Sequence, residues 1–128
     1  MEPWKEKVIK KAKHAQFLLD TNNQEKLINY FISNFIQPIA DEVTEINEDF
    51  YSINQDGTQT KIKIANEELL IMISNGNVGF CKLNKGKDTW KMILKVIFED
   101  SVPKVIGNII PEELTIKDLE NVMVEVFK

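Results

Sequence analysis

Two dipeptides, Asp56-Gly57 and Asn75-Gly76, constrain this chain more than any other feature. Asp-Gly and Asn-Gly accept the positive φ angles of a two-residue type I′ turn, and both lie between segments of alternating apolar and polar side chains. Each therefore predicts a β-hairpin with a defined register. Closing the first on Asp56-Gly57 puts Tyr51, Ile53, Ile62 and Ile64 on one face, and Phe50, Ser52, Lys61 and Lys63 on the other. Closing the second on Asn75-Gly76 pairs Ile73 with Val78 and Ile71 with Phe80 on one face, Met72 with Gly79 and Leu70 with Cys81 on the other. Both faces of Leu69 to Ile73, the longest apolar run, are hydrophobic, which is the pattern of a central strand covered on both sides.

A loop around Lys85-Gly86 leads to Trp90 to Phe98. Read as a strand, this segment aligns Trp90, Met92, Leu94, Val96 and Phe98. Read as a helix, it spaces Trp90, Ile93, Leu94 and Ile97 on one side, with Asp88 as cap. Its bulky and β-branched residues favour the strand. Val102 to Ile110 reads as a further strand, with Pro103 placing it at an edge or at its own start.

Helical periodicity brackets these strands. From Glu2 to Leu19, Trp4, Val8, Ala12, Ala15, Leu18 and Leu19 share one stripe opposite Glu6, Lys10, Lys13 and Gln16. Ala12 and Ala15 suit close packing against another helix better than insertion into lipid, although a basic helix carrying Trp4 would also suit an anionic membrane surface. After the break at Asp20 to Asn23, Thr21 with Gln24 and Asn22 with Glu25 both have capping-box spacing. Leu27, Ile28, Phe31, Ile32, Phe35, Ile39, Val43 and Ile46 then form a second stripe that keeps its phase across Pro38, predicting one kinked helix. At the other end, Thr115 and Asp118 form a capping box while Leu114 and Leu119 occupy the staple positions, so a last helix begins there.

The fold class is thus α+β: two N-terminal helices, an antiparallel β-meander of five to six strands, and a C-terminal helix. At 128 residues the chain suits one domain spanning 1-128. No apolar region follows the charged start from Met1 to Lys13, and no run approaches the ~20 residues of a membrane span, so neither a signal peptide nor a transmembrane segment is expected. With Cys81 as the only cysteine there is no internal disulfide, which fits a cytoplasmic location.

The chemistry-bearing residues are sparse. The sole histidine, His14, lies on the lysine-rich side of the first helix and is expected to stay solvated. The sole thiol, Cys81, alternates into an apolar strand face, where burial would raise its pKa. They read as a surface histidine and a core cysteine, so no catalytic residue is assigned and enzyme activity is unsupported. No nitrogen or sulfur pair has zinc-ligand spacing. The acids Asp41, Glu42, Glu45, Glu48 and Asp49 lack the calcium-loop pattern and read as a solvated helix edge rather than a carboxylate-only cation site. No glycine-rich phosphate loop is present, and no cofactor or metal is expected.

All 16 basic residues are lysine. Without arginine the chain lacks the planar fork that grips guanine or phosphate through paired hydrogen bonds, so specific nucleic-acid reading is not expected. Lys82, Lys85, Lys87, Lys91 and Lys95 would attract nucleic acid only weakly in a chain of net charge −4, and read as a solvated edge that discourages strand pairing. Charge is nevertheless segregated: residues 1–19 carry five Lys and two Glu, a net of +3, whereas residues 20–49 carry one Lys and seven acids, a net of −6.

An apolar two-faced meander beside segregated charge is the pattern of a non-catalytic binding module, an adaptor, inhibitor or self-associating protein. Its partner would be another protein or a second copy, met through Leu70, Met72, Trp90 and Met92. The alternative is a small-ligand or enzyme pocket between sheet and helices, lined by Leu70, Met72 and Trp90.

Overall fold

The computed structural model describes residues 2–107 and 110–128. Helix α1 (Pro3–Asp20) carries Pro3 in its first turn, where a missing N–H leaves no intrahelical bond unmade. It ends at Thr21, whose buried hydroxyl donates to the Phe17 carbonyl across 2.8 Å. Helix α2 (Gln24–Phe31) is capped by Asn23, which accepts from the Lys26 N–H at 2.9 Å. Neither expected capping box forms. Thr21 turns back onto α1, and the Gln24 amide donates to the Gly76 carbonyl in the second hairpin.

The helix continues through a π turn (Ile32–Ile36) into α3 (Gln37–Ile46). Pro38 supplies no N–H to the Asn34 carbonyl and its ring crowds that oxygen, so the turn upstream widens until the Gln37 N–H reaches the Ile32 carbonyl. That widening inserts one residue, and the buried face steps from Phe31 to Ile36 and on to Ala40. Phase is therefore lost at the proline rather than kept. Ile39 and Ile46, expected in the apolar stripe, face outward, with Ile46 at 77% exposure.

A single 3₁₀ turn (Glu48–Phe50) leads into β1 (Tyr51–Asp56), β2 (Gln59–Ile64), β3 (Glu67–Ser74), β4 (Asn77–Asn84), β5 (Thr89–Glu99), β6 (Val102–Val105) and β7 (Glu112–Glu113). These form one antiparallel meander in sequence order. There are seven strands rather than five or six, because the two-residue β7 is too short to leave an alternation in the sequence. The last long segment is strand only from Val102 to Val105; Asn108 and Ile109 lie outside the described residues. Pro103 fits within β6 because its carbonyl, on the same strand edge as its nitrogen, accepts from the Leu114 N–H at 2.9 Å just beyond β7.

The first hairpin turns on Gly57-Thr58 rather than Asp56-Gly57: Asp56 pairs with Gln59, and Gly57 alone has a positive φ, the pattern of a type II′ turn. The register differs from the expected one by two residues, an even number, so Tyr51, Ile53, Ile62 and Ile64 still share a face. The second hairpin turns on Asn75-Gly76 at φ 54° and 78°, with Ile73 opposite Val78 and Leu70 opposite Cys81 as expected.

Segment 89–99 is a strand, with an irregularity the alternation does not show. Phe80 pairs with Leu94 but Cys81 pairs with Met92, so β5 carries an extra residue at Ile93. The five residues expected to align are divided. Leu94, Val96 and Phe98 share the face of Phe80, while Trp90 and Met92 share the face of Cys81.

The helices pack on the first of these faces. Ile62, Leu69, Ile71, Val78, Phe80 and Val96 form one buried cluster with Leu27, Phe31 and Ile36 and with Leu119, Val122 and Val126 of α4 (Ile116–Phe127). The Phe31 and Phe80 rings lie 5.0 Å apart at its centre. Helix α4 starts at the expected capping box of Thr115 and Asp118, with Leu114 and Leu119 both buried. Helix α1 departs from expectation. Its one buried residue is Phe17, set edge-on to Tyr30 at 5.2 Å on the side away from the alanine stripe, and Trp4, Val8, Ala12, Ala15 and Leu19 are exposed. A large aromatic buries more area than two alanines, so it decides how α1 docks. No helix among the described residues is long and apolar enough to cross a membrane.

Gly76 at φ 78° occupies a conformation that β-branched residues avoid, and the Gln24 side chain lies 3.5 Å from where its Cβ would stand. Replacing it (Gly76→Val) is expected to lower urea-unfolding stability by about 2 kcal/mol. Unchanged stability would contradict the turn assignment.

Candidate functional site

Because side chains alternate along strands, covering one sheet face with helices leaves the other to be described by itself. On that second face, cross-strand pairing sets Lys61, Leu70, Cys81 and Met92 in one row over β2 to β5. The next row holds Met72, Gly79 and Lys95, and Leu83 faces Trp90 on the other side. Leu70 and Cys81 are buried but stand outside the main core cluster. Met92 is 50% exposed and Trp90 36%. The four residues expected to form an interface, Leu70, Met72, Trp90 and Met92, are thus on one face. Leu70 is its buried floor and the other three are accessible in part.

Gly79 shapes this surface. A Cβ there would stand 3.0 Å from the Met92 methyl carbon, so the glycine lets Met92 fold inward over the strand. The Cys81 thiol donates to the Met92 sulfur across 3.7 Å, and two polarizable side chains form a soft apolar surface. Lys61 and Lys95 end the two rows and are exposed, so a lysine stands at each of these ends of the apolar centre, while Glu68, paired with Lys63, lies on the same face beyond Leu70. Gly79 and Cys81 were expected on the face of Leu70 and Met72 from the Asn75-Gly76 register, but the sequence pattern did not show Lys61 and Lys95 as part of it, nor Met92 beside Cys81, which follows from the bulge in β5.

The face is shallow. The hollow between Met72, Gly79, Met92 and Lys95 holds about 150 Å³, below the ~300 Å³ of a typical small-molecule site. Leu70, Met72 and Trp90 lie away from the helices and do not line a space between helices and sheet. A larger hollow of about 430 Å³ lies at the helix-covered side, lined by Glu67, Lys82, Lys85, Lys91, Ile93 and Glu125. There Lys82 donates to the Glu125 carbonyl at the end of α4, and Lys85 pairs with Glu67, each at 3.0 Å.

The lysine-rich segment does not make one basic surface. Lys82 and Lys91 pair on the helix side, Lys95 lies on the open side, and Lys85 and Lys87 sit in the connecting loop. His14 is partly exposed on α1 with its ring 3.4 Å from the Glu113 carboxylate and stacked near Phe17, so a carboxylate rather than neighbouring lysines is its partner. Cys81 lies on a different element, and burial pushes its thiol pKa up. Among the described residues no group of three or more His, Cys, Asp and Glu side chains is placed to hold a metal ion.

No protein-family model matches this chain, and neither a curated protein nor a solved structure matches it. The class that fold and face define is an α+β meander sheet with one helix-covered side and one apolar, lysine-margined side.

The raised Cys81 pKa has a testable sign. Below the unfolded thiol's pKa both states hold the proton and burial is indifferent to pH. Above it the unfolded chain ionises first, so stability falls as pH rises. At mildly alkaline pH, iodoacetamide should label native Cys81 slower by about tenfold or more than the urea-unfolded chain. Equal rates would contradict the burial described.

Proposed function

We propose that this chain is a non-catalytic, cytoplasmic protein-binding module that docks a partner on the open face of its sheet. The observation that carries this reading is the division of β5, which turns Trp90 and Met92 outward beside Met72 above a buried floor of Leu70 and Cys81. Tryptophan and methionine are enriched in protein interfaces, where a large or adaptable side chain gains much contact area for little lost freedom. A shallow surface suits a protein partner better than a small molecule.

The lysine margin defines the complementary chemistry: apolar side chains flanked by carboxylates. Apolar contact would supply most of the affinity, and the Lys61 and Lys95 charges would steer and orient the approach. Neither His14 nor Cys81 takes part in a proton-transfer or covalent step in this reading. A single free cysteine suits a reducing compartment.

The test compares wild type with Met72→Lys and Trp90→Ala in affinity capture from the native cell, read by quantitative mass spectrometry. Circular dichroism would confirm that each variant folds. A protein retained by wild type and His14→Gln should be depleted about tenfold or more by either face variant, since a central interface anchor carries about 2 kcal/mol. Equal retention by the folded face variants would overturn the assignment.

A further inference from the structure

We propose that the chain self-associates, with α1 of one copy packing along the outward face of α3 in a second copy. The first observation is that α1 is held by its C-terminal part alone. Phe17 is buried and His14 and Leu18 are partly so, whereas every described residue from Glu2 to Lys13 is exposed, including Trp4 at 61%. Eleven residues of helix without tertiary support are only marginally stable in water. A surface that packs on the apolar stripe would supply that support.

The second observation is the matching surface on α3. The one-residue step at the π turn rotates Ile39 and Ile46 out of the core, with the exposed Glu42 between them and the half-buried Phe35 one turn before. The line Phe35, Ile39, Glu42, Ile46 has spacings of four, three and four residues. On α1 the line Trp4, Val8, Lys11, Ala15 has the same spacings. The single charge interrupting each line stands at the same place, and the two charges are opposite. Packed side by side in either direction, the helices bring Lys11 within about one turn of Glu42.

Charge selects this occupant. The α1 segment carries a net +3 and the segment containing α3 a net −6, so the two attract. Pairing α1 with α1 would instead set five lysines against five lysines. An anionic lipid surface would attract α1 but repel the α3 carboxylates and a chain of net charge −4. Ala15 in the line and Ala12 beside it, both exposed, allow close approach of a second helix backbone. Every copy carries both surfaces, so the contact can be made twice about a two-fold axis.

Sedimentation equilibrium of the full chain, from micromolar to near-millimolar concentration, tests the proposal with Lys11→Glu, Glu42→Lys and the double exchange. Both positions are exposed, and circular dichroism would verify folding. Wild type should self-associate, each single variant should weaken association about tenfold, and the double exchange should restore it to within a few-fold. The open-face variant Met72→Lys should associate like wild type, which separates this contact from the partner surface on the sheet. A wild-type monomer at the highest concentration would overturn the proposal. So would association that ignores both single variants, or that is lost in Met72→Lys. A monomer that binds phosphatidylserine vesicles, with binding lost in Lys11→Glu, would assign α1 to lipid instead and overturn it as well.

Discussion

The arrangement depends on one extra residue in a strand. Between the pairs Phe80 with Leu94 and Cys81 with Met92, β5 accommodates Ile93 without a partner of its own. Because a strand repeats every two residues, that insertion exchanges faces for everything on one side of it. Leu94, Val96 and Phe98 go to the helix-covered core against Phe80, while Trp90 and Met92 go to the open side beside Cys81. In an unbroken register Trp90 and Met92 would share the face of Lys82, under the end of α4, and Lys91 would stand on the open face. Trp90 and Met92 belong to the open apolar face because the strand is irregular.

Helix α3 repeats the device with a different period. The π turn ahead of Pro38 adds one residue to a repeat of about 3.6, so Ile39 and Ile46 leave the buried face and Ile36 and Ala40 take it. In both places residues with the spacing of a core become surface. We propose a role for both surfaces: one face of the sheet for a protein partner, and one face of a helix for a second copy. Local irregularities of this kind concentrate at functional sites, where they aim side chains that a regular element would bury.

What could be read in advance follows the range of each signal. Asn75-Gly76 and the Thr115 to Asp118 box act over four residues and need nothing from elsewhere in the chain, and both formed as expected. The α+β class, with helices at both ends of an antiparallel meander, followed from periodicity over longer windows. Competition between neighbouring groups was not legible. Thr21 preferred the Phe17 carbonyl and left the cap of α2 to Asn23, and Gly57 took the first turn position with Thr58 rather than the second with Asp56. A stripe such as Trp4, Val8, Ala12 and Ala15 has the spacing of a covered face, yet within one copy of the chain it is exposed. The four candidate interface residues were placed on one surface, but through an alignment of Trp90 and Met92 with Leu94 that the bulge breaks. Gly79 and Cys81 were already expected on the face of Met72 and Leu70 through the Asn75-Gly76 register, whereas Lys61 and Lys95 joined that surface only once the pairings of β2 and β5 were known.

The register of β5 against β4 is therefore the quantity on which the partner-binding account stands, and proton–proton contacts in nuclear magnetic resonance read it directly. Cross-strand contacts joining Phe80 to Leu94 and Cys81 to Met92 are expected in the same spectrum, with Leu83 facing Trp90. A continuous register joining Cys81 to Ile93 and Lys82 to Met92 would contradict the account, because Trp90 and Met92 would then lie on the helix-covered side, out of reach of a partner docked on the open face.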